Sequence, residues 1–320
     1  MKSRQTLQRA CWCGSTTARI AFQFRHEGTP LRYVRCSGCN VLAQWPQIDD
    51  ARLAKAYAPE YYGKSRTKFV GPIAKAVGWF QMGRARTVAG LLEQHGKSAR
   101  ILDVGCGNGG FLANMHSLGF RNLEGTEFSP DSAKRVPQGL GIRVHVGDLT
   151  QLPLPDRTYD AITICHVLEH VRDPQATLST CYRILKPGGR LYIAVPNQDS
   201  TQAIRYGRHW FHLDPPRHLF GFGPVSLSQL LRTTGFNRDN LSTFSLEQDP
   251  YGWIQSALNK AGFPRDRAYS TLKRTGKHTN AQRLTDLALV ALLTPMGLAA
   301  SALSSLFNRG GTLMVTATKD

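Results

Sequence analysis

The feature that most constrains the fold of this chain is a glycine-rich turn, Asp103-Val-Gly105-Cys-Gly107-Asn-Gly109, between a buried apolar run and a helical pattern. Glycine lets the backbone come close to a ligand, and the N-terminus of the following helix offers unpaired N–H groups. The G-x-G-x-G spacing, with an acid two residues before the first glycine, differs from the G-x-G-x-x-G spacing of dinucleotide-binding turns. It predicts a site for a nucleotide-like ligand at the carboxyl end of a strand.

From residue 99 onwards, short β-branched runs alternate with helical stretches, which is typical of a parallel sheet with crossover helices. The pattern predicts an α/β fold, a Rossmann-like doubly wound sheet of seven strands, with a helical insertion before the last strand. The predicted strands are 99–105, 122–128, 142–148, 159–167, 190–197, 240–247 and 312–319. The predicted helices are 72–96, 109–119, one opened by Ser129, 173–185 and 224–235.

Acidic residues follow two further predicted strands. Glu127 ends the second strand, where a carboxylate can accept both hydrogen bonds of a ribose diol, and Asp148 ends the third, where an acid can meet an adenine amino group. The alternative for each acid is a helix cap. Because the carboxyl ends of parallel strands share one edge of a sheet, we expect these acids to lie near the glycine-rich turn.

Four segments carry a family resemblance: ILDVGCGNGGFL, GTEFSP, VHVGDLTQLPLPDRTYDAITICHVLEHVRDP and RILKPGGRLYIAVPN. They resemble the successive motifs of class I S-adenosylmethionine-dependent methyltransferases, over about residues 99–245 plus the last strand. The resemblance implies a transferase that binds S-adenosyl-L-methionine. It also implies the residues that contact this cofactor: Asp103, Gly105 and Gly107 at the methionine part, Glu127 at the ribose, Asp148 with Leu149 near the adenine, and Cys165 with His166 facing the sulfonium. Cys106 and Phe128, beside these residues, are expected to contact it as well.

Methyl transfer is an in-line displacement, so the protein mainly has to hold donor and acceptor collinear and dry. A hydroxyl acceptor also benefits from a general base, and His166 after the fourth strand is the first candidate, with His170 behind it. The alternative is that Glu169 and His170 begin the next helix and bond only the backbone. Some ubiquinone-pathway O-methyltransferases resemble this stretch but carry Glu-x-x-Glu-His, used with a divalent metal, and here His166 replaces the first Glu.

Residues 209–220 combine histidines, aromatic residues and prolines between a strand and a helix, which suggests a rigid loop over a pocket. The segment resembles one in a bacterial methyltransferase group linked to polysaccharide or glycolipid biosynthesis. By that resemblance His212 and His218 are catalytic candidates, and His212, Asp214 and Arg217 are acceptor-binding candidates. Arg217 could pair with a phosphate or carboxylate of the acceptor, or instead hold the loop through Asp214.

Four cysteines near the N-terminus resemble a zinc knuckle. Cys11 and Cys13 form a C-x-C pair, Cys36 and Cys39 form a C-x-x-C pair, and a predicted β-hairpin separates the pairs. Four thiolates hold Zn²⁺ in a closed tetrahedral site, which lets a small unit fold around little core. We expect structural zinc. Because the first pair is one residue shorter than usual, the alternative is a degenerate site without metal.

The net charge of +18 is unevenly distributed along the chain. Residues 1–100 carry 17 basic and 5 acidic side chains, residues 101–250 carry 14 of each, and residues 251–320 carry 9 and 3. The middle is therefore neutral, as in an ordinary enzyme core. The basic ends predict an anionic partner, such as a membrane surface or a phosphorylated substrate, and weaken a nucleic-acid function centred on the core.

The predicted insertion before the last strand is both basic and apolar. Residues 287–307 are a run of 21 without a charge, long enough to span a bilayer. A single crossing would put strand 312–319 on the wrong side of the membrane, and Pro295 is expected to break the run into two helices. Two interpretations stay open: a helical hairpin at the membrane interface, or a lid over the acceptor pocket. The basic collar of this insertion consists of Lys260, Arg265, Arg267, Lys273, Arg274, Lys277 and Arg283.

These patterns together predict O-methylation of a sugar, or of a lipid-linked or isoprenoid small molecule, in cell-envelope polysaccharide or quinone-type biosynthesis. One alternative is a C-methyltransferase acting on a nucleotide-linked deoxysugar. The other is an RNA-binding protein or RNA methyltransferase, which is disfavoured because no basic surface interleaved with aromatic residues is evident.

The N-terminal residues carry charge but no apolar h-region, so the expected location is cytoplasmic, with peripheral contact on the inner face of the membrane through residues 260–307. The expected domains are a zinc-knuckle-like unit at 1–45, a helical linker at 46–98, a cofactor-binding core at 99–245 and 311–320, and the insertion at 246–310.

Overall fold

The computed structural model describes residues 4–6, 11–26, 28–57, 71–273, 275 and 278–320. The chain forms two compact units. Unit 1 comprises the described parts of Met1–Phe69, Pro196–Gln229 and Ser242–Leu313, and unit 2 comprises the described parts of Val70–Val195, Leu230–Leu241 and Met314–Asp320. Contacts thus group residues 196–229 with the N-terminal segment, whereas the sequence pattern predicts that they belong to the core. The expected domain boundaries stay a prediction about what folds independently.

Unit 2 is built on a sheet of seven strands, counted over the described residues, in the order β11-β12-β9-β8-β5-β6-β7. Strand β5 pairs in parallel with β6 and β8, β6 with β7, and β8 with β9. The predicted Rossmann-like sheet is confirmed. Its strands are β5 (Ile101–Val104), β6 (Leu123–Glu127), β7 (Arg143–Val146), β8 (Tyr159–Cys165), β9 (Leu185–Pro196), β11 (Phe236–Ser242) and β12 (Thr312–Lys319).

Local signals in the sequence explain where the helices near this sheet begin. The Ser129 and Asp173 side chains each accept a backbone N–H three residues ahead, and a proline follows each of them. The helices of this part of the chain are α2 (Gly71–Leu91), α3 (Gly110–Ser117), α4 (Pro130–Ala133), α5 (Pro174–Ile184) and α7 (Pro224–Thr233).

One hydrophobic cluster of unit 2 lies between α2, α3 and the central strands. Leu92, Ile101, Leu112 and Met115 are fully buried there, next to Phe120. This core fixes the strand ends that carry the predicted site.

One predicted strand is displaced. The sequence predicts a strand at 240–247, whereas β11 occupies Phe236–Ser242. The strand begins directly after Gly235, which has a φ of +91° and packs against the Tyr182 ring. The chain therefore passes directly from the end of α7 into β11. The prediction places the start of the strand at residue 240, after its observed start at Phe236.

Unit 1 contains a second sheet, in the order β1-β2-β3-β4-β10. The predicted hairpin is present as the antiparallel pair β2–β3, while the pairing of β4 with β10 joins positions that lie far apart in sequence. The strands are β1 (Arg4–Thr6), β2 (Thr17–His26), β3 (Thr29–Cys36), β4 (Leu42–Gln44) and β10 (Phe220–Gly221).

The N-terminal strands share a core with later segments of unit 1. Tyr33 and Leu42 pack with Tyr206, Trp210 and Trp253. The zinc-knuckle-like segment is thus part of a larger hydrophobic cluster. The helices of unit 1 are α1 (Asp50–Ala56), α6 (Thr201–Tyr206), α8 (Asp249–Lys260), α9 (Arg267–Leu272) and α10 (Asn280–Leu306).

The predicted break at Pro295 is wrong, because α10 is one helix of 27 residues with Pro295 inside it. A proline removes one backbone hydrogen bond, but packing can offset that loss. Gly297 lies so close to α8 that an added Cβ would be 2.7 Å from the Pro250 carbonyl oxygen. The helix also begins with a capping box formed by Thr279 and Gln282.

Helix α10 is unusual in the chemistry of its two sides. The residues that it buries are Asp286, Gly297, Ser301 and Ser304, whereas leucines such as Leu292 are exposed. By length and composition it could cross a bilayer, with a mean hydropathy of 1.9 and 17% burial over its most apolar window. Arg274 and Lys277 of the predicted basic collar lie outside the described residues.

Candidate active site

The glycine-rich turn leaves β5 in left-handed backbone conformations. Gly105, Gly107 and Gly109 have φ values of +70°, +56° and +75°. A Cβ on Gly105 would lie 2.4 Å from the Val167 side chain, while one on Gly107 would meet nothing within 4 Å. The first glycine is therefore required by packing, and the second leaves open space in which a ligand can approach the backbone.

Glu127 is held at the end of β6 by the same turn. Its Oε2 atom accepts the Gly107 N–H at 2.9 Å, and its Oε1 atom accepts the Ser129 N–H at 3.0 Å. A carboxylate has about four lone-pair positions, so acceptor capacity remains for a diol. The Phe128 side chain beside it is 78% exposed, which leaves an aromatic face available to a base.

Asp103 lies inside β5 rather than at its tip, with Gly125 and Thr163 as its partners on the neighbouring strands. Its Oδ1 atom accepts the Thr163 hydroxyl at 2.6 Å. Burial raises the pKa of Asp103 to about 6, opposed by the Thr163 hydrogen bond and the charge of Arg84. A cationic ligand would favour the ionised form of this carboxylate.

Three other predicted cofactor residues have different surroundings. The Cys106 side chain is buried against Gly125, and that burial raises the pKa of its thiol. Asp148 caps the short helix Leu149–Gln151, and its Oδ1 atom accepts the Thr150 N–H at 2.8 Å and the Thr150 hydroxyl at 2.7 Å. Cys165 is half-buried at the end of β8. The cap that the sequence analysis weighed as an alternative for Asp148 is therefore present.

These residues fit a nucleoside ligand that carries a positive charge. Gly107 leaves space for a ligand beside the backbone, and Glu127 has lone pairs that can accept further hydrogen bonds. Asp103 is a buried carboxylate whose ionised form a cationic ligand would stabilise. Asp103 and Glu127 belong to the adjacent parallel strands β5 and β6, and Gly107 belongs to the turn that follows β5.

His166 follows β8 with a φ of +55°, a left-handed conformation that is uncommon for residues other than glycine. Its N–H donates to the Ala194 carbonyl, and its Nδ1 atom lies 3.6 Å from Oε1 of Glu169, whose side chain is 1% exposed. Residues held in such conformations by their surroundings concentrate at functional sites. His170 lies in the turn before α5, which begins at Pro174, so Glu169 and His170 precede that helix.

The 209–220 segment lies in unit 1 and is held by internal contacts. Arg217 donates from Nε to Oδ2 of Asp214 at 2.9 Å and from Nη2 to Oδ1. His218 Nδ1 lies 2.8 Å from the carbonyl oxygen of His212, which is buried. Of the two interpretations weighed for Arg217, the contacts favour the one in which it holds the loop through Asp214.

The four N-terminal cysteines come together. The sulfur atoms of Cys11, Cys13, Cys36 and Cys39 all lie within 4.8 Å of one another, and tetrahedral Zn–S bonds place sulfurs about 3.8 Å apart. A hydrogen bond with Cys39 lowers the pKa of Cys11 to about 6, which favours a thiolate. A Cβ on Gly38 would lie 2.8 Å from the Cys13 sulfur. The cluster is compatible with structural zinc.

Two contributors escaped the sequence analysis. The Thr163 hydroxyl, on the neighbouring strand β8, donates a hydrogen bond to Asp103. The Val167 side chain occupies the space beside Gly105. The parallel register of β5 and β8 would have revealed Thr163, because residues in register on adjacent strands lie on the same face. No local signal marks Val167.

Comparisons with known proteins bear on these observations. A family model described as a methyltransferase domain matches residues 81–241, half of the chain. A probable S-adenosylmethionine-dependent methyltransferase of Mycolicibacterium smegmatis is 28% identical over 171 residues, which cover 52% of this chain and 62% of that protein. A ubiquinone biosynthesis O-methyltransferase of Xanthomonas axonopodis pv. citri is 33% identical over 171 residues, which cover 50% of this chain and 70% of that protein.

Among solved structures, a putative sarcosine dimethylglycine methyltransferase from Galdieria sulphuraria superposes with a TM-score of 0.52 at 16% identity, covering 84% of this chain and 98% of that one. At this identity the likeness shows the fold alone. The family model and the sequence relatives carry the assignment further: the chain belongs to the methyltransferase domain family, and its relatives include a probable S-adenosylmethionine-dependent methyltransferase of whose length the match covers less than two thirds.

Proposed function

We propose that the chain methylates a hydroxyl group of a small-molecule acceptor, a sugar or a lipid-linked or isoprenoid molecule, in cell-envelope or quinone-type biosynthesis. The observation that carries this proposal is His166, held in a left-handed conformation beside the buried Glu169 at the end of β8. A relative named as a ubiquinone biosynthesis O-methyltransferase supports the same chemistry.

The donor site consists of Asp103 inside β5 and of residues at or after the ends of β5, β6, β7 and β8. Bound S-adenosylmethionine supplies an electrophilic methyl group. Asp103 and the backbone at Gly105, Cys106 and Gly107 hold its methionine part. The rest of its contacts come from Glu127 at the ribose, Phe128, Asp148 and Leu149 at the base, and Cys165 near the reacting carbon.

His166 takes the proton of the acceptor hydroxyl on Nε2, because its Nδ1 atom faces Glu169. Glu169 is a positioning residue that stabilises the imidazolium form. His170 is the second candidate base in unit 2. In unit 1, His212, Asp214, Arg217 and His218 form the acceptor-site candidates, and the Asp214–Arg217 pair keeps that loop in one conformation.

The test of the base is His166→Ala. We expect kcat to fall about 10²- to 10⁴-fold, while the Kd for S-adenosylmethionine changes less than twofold. His116→Ala, on α3, is the matched histidine control and should leave both values unchanged.

A fall in kcat no larger than that of His116→Ala would discard His166 as the base. The site of methylation is read from the product by NMR, and a new C–CH₃ bond in place of an O–CH₃ bond would favour a C-methyltransferase on a deoxysugar nucleotide. In that case the hydroxyl chemistry proposed here is wrong.

The same proposal includes structural zinc at Cys11, Cys13, Cys36 and Cys39, supported by the distances between their sulfur atoms. Four thiolates leave no open position on the metal, so the ion would stabilise the fold and take no part in chemistry.

We also propose that α10 binds the surface of an anionic membrane from the cytoplasmic side, in agreement with a lipid-linked acceptor. Its exposed apolar side includes Leu292 and Leu306, which are 75% and 78% exposed. Exposed arginines, Arg283 and Arg309, lie near the two ends of this side. Basic residues add about 1 kcal/mol each at anionic lipid, and exposed leucines add apolar burial.

Flotation with vesicles tests this contact. We expect the protein to float with vesicles of anionic phosphatidylglycerol, less with neutral phosphatidylcholine, and at least tenfold less after Leu292→Gln with Leu306→Gln. Binding to RNA with a steep salt dependence and none to vesicles would overturn the membrane proposal in favour of a nucleic-acid partner.

A further inference from the structure

Unit 1 contains a cavity of about 380 Å³, within the size range of small-molecule sites. Its walls come from β2, β3, β4 and the segment around α6. The polar residues that line it are Arg19, Arg35, Asn40, Gln198 and Asp199. All of them belong to unit 1, and none is among the residues that the proposed function uses.

Two arginines face each other in this cavity. Arg19 on β2 and Arg35 on β3 are direct partners in the antiparallel register. Like charges opposite each other on neighbouring strands destabilise a sheet. One carboxylate, Asp199, lies 3.4 Å from Nη1 of Arg35, which is a long contact for an ion pair, and the Arg35 side chain is largely buried. The cavity therefore keeps an excess of positive charge that an anion would balance.

The cavity also holds hydrogen-bond acceptors. The Gln198 side chain is 4% exposed, and its Nε2 atom donates to the Asn40 carbonyl at 2.6 Å. Its Oε1 atom has no hydrogen-bond partner among the described residues. A buried acceptor without a donor is unfavourable, so a ligand with a hydroxyl group would satisfy it. The second oxygen of Asp199 can accept another hydroxyl.

The remaining wall is apolar. Phe22, Leu42 and Trp210 line it, with Leu42 directly opposite Arg35 in the strand pairing. Such apolar side chains can contact the C–H groups of a sugar ring, while arginines bind phosphate through their forked donors. An anion alone would leave this wall and the Gln198 acceptor uncontacted.

We propose that this cavity is a binding site for a sugar phosphate, with Arg19 and Arg35 on the phosphate and Gln198 and Asp199 on the sugar hydroxyls. The proposal goes beyond the methyl transfer described above, and its test needs neither a methyl donor nor turnover. Failure of one proposal is therefore distinguishable from failure of the other.

The experiment is calorimetry on the full chain with glucose 1-phosphate, inorganic phosphate and glucose as separate probes. We expect glucose 1-phosphate to bind at least about tenfold more tightly than either part alone. Arg19→Met should weaken its binding about tenfold or more, since a charge-assisted hydrogen bond is lost. Arg35→Met should do the same, and Arg19→Met keeps the test informative if the largely buried Arg35 proves necessary for folding.

Arg32→Met is the matched control, because Arg32 is an exposed arginine on β3 that does not line the cavity. Its effect on Kd should stay within twofold. If Arg19→Met and Arg32→Met weakened glucose 1-phosphate binding equally, the loss would reflect the overall charge of the protein, and the proposed site would be wrong. Phosphate binding as tight as that of glucose 1-phosphate would overturn the sugar part of the proposal.

Discussion

The two units of this protein place their candidate residues in different ways. In unit 2, the residues proposed to contact the cofactor lie in or at the ends of strands that follow one another along the chain. Successive members of this set, such as Asp103 and Glu127, are separated in the sequence by no more than one crossover helix. In unit 1, the sugar-phosphate cavity combines segments more than 150 residues apart, as in the contact of Asn40 with Gln198. Local patterns therefore specify the first kind of site, and only tertiary packing specifies the second.

The difference has a physical origin in what each site needs. A glycine turn after a parallel strand forms from backbone preferences and sheet register, which nearby sequence controls. The unit 1 sheet instead needs β10 to reach β4, and its cysteine cluster needs two loops to meet. Sites of the second kind should depend more on whatever holds distant segments together.

The largest expected effect concerns the cysteine cluster. Cys36→Ser should remove zinc and melt the sheet of unit 1, because β3 ends at Cys36 and zinc binding to such sites supplies on the order of 10 kcal/mol. Metal analysis and tryptophan fluorescence measure this, since Trp12, Trp45, Trp210 and Trp253 all belong to unit 1. Cys181→Ala, in α5, is the control and should retain the metal. A wild-type protein purified without zinc would contradict this prediction.

A smaller effect is expected at the glycine turn. Gly105→Ala should weaken S-adenosylmethionine binding at least about tenfold, because the φ of +70° costs about 1–2 kcal/mol for alanine and the new methyl group meets Val167. Gly83→Ala, in the middle of α2 with open space around its Cβ, should instead stabilise the protein by about 0.5–1 kcal/mol. Calorimetry and denaturant unfolding measure the two. Unchanged donor affinity in Gly105→Ala would refute the turn as the donor site.

Donor affinity should also depend on pH through Asp103. Because burial raises the pKa of Asp103 to about 6, affinity for the cationic donor should fall about tenfold per pH unit below pH 6. The folded state also binds this proton more tightly than the unfolded state. The contribution of Asp103 to stability is therefore complete below about pH 4 and is lost as the pH rises through 6.

Asp103→Asn should remove both dependences, whereas Asp131→Asn, at an exposed position of α4, should keep them. Calorimetry between pH 5 and 8 and urea unfolding between pH 3 and 7 measure the two effects. If the donor affinity of the Asp103→Asn variant still fell at low pH, the titrating proton would belong to another group, such as a nearby histidine.

The smallest effect is expected on α10. Leu292→Gln should change the free energy of unfolding by less than about 0.5 kcal/mol, because this leucine is exposed. Gly297→Ala should destabilise by about 1–3 kcal/mol, since its Cβ would meet the Pro250 carbonyl and Ile254. Thermal and urea unfolding compare the two variants. A large loss in Leu292→Gln would mean that the apolar side packs on protein.

Much of unit 2 was predictable because its signals are local. The caps at Ser129 and Asp173, the glycine turn and the strand alternation all place elements within a few residues of their observed ends. The start of the strand after Gly235 was predicted too far along the chain, because the end of a helix and the start of a strand coincide at this glycine. Which residues contact the donor follows from the resemblance and stays a prediction.

Less of unit 1 was predictable because its determinants are tertiary. In the sequence, Pro295 predicts a break in the helix. Only the packing of Gly297 on α8 explains why α10 continues through this proline. The cavity depends on Arg19 and Arg35 coming into register, which the hairpin pattern leaves undetermined within one or two residues.

The position of β12 in the sheet affects how the protein is made. β12 lies between β11 and β9, yet the ribosome must synthesise about 70 further residues after β11 before β12 emerges. At translation rates of about 5–20 residues per second this delay lasts several seconds. Until β12 is in place, β9 has an unpaired edge and β11 has no partner in the sheet, and unpaired strand edges favour aggregation.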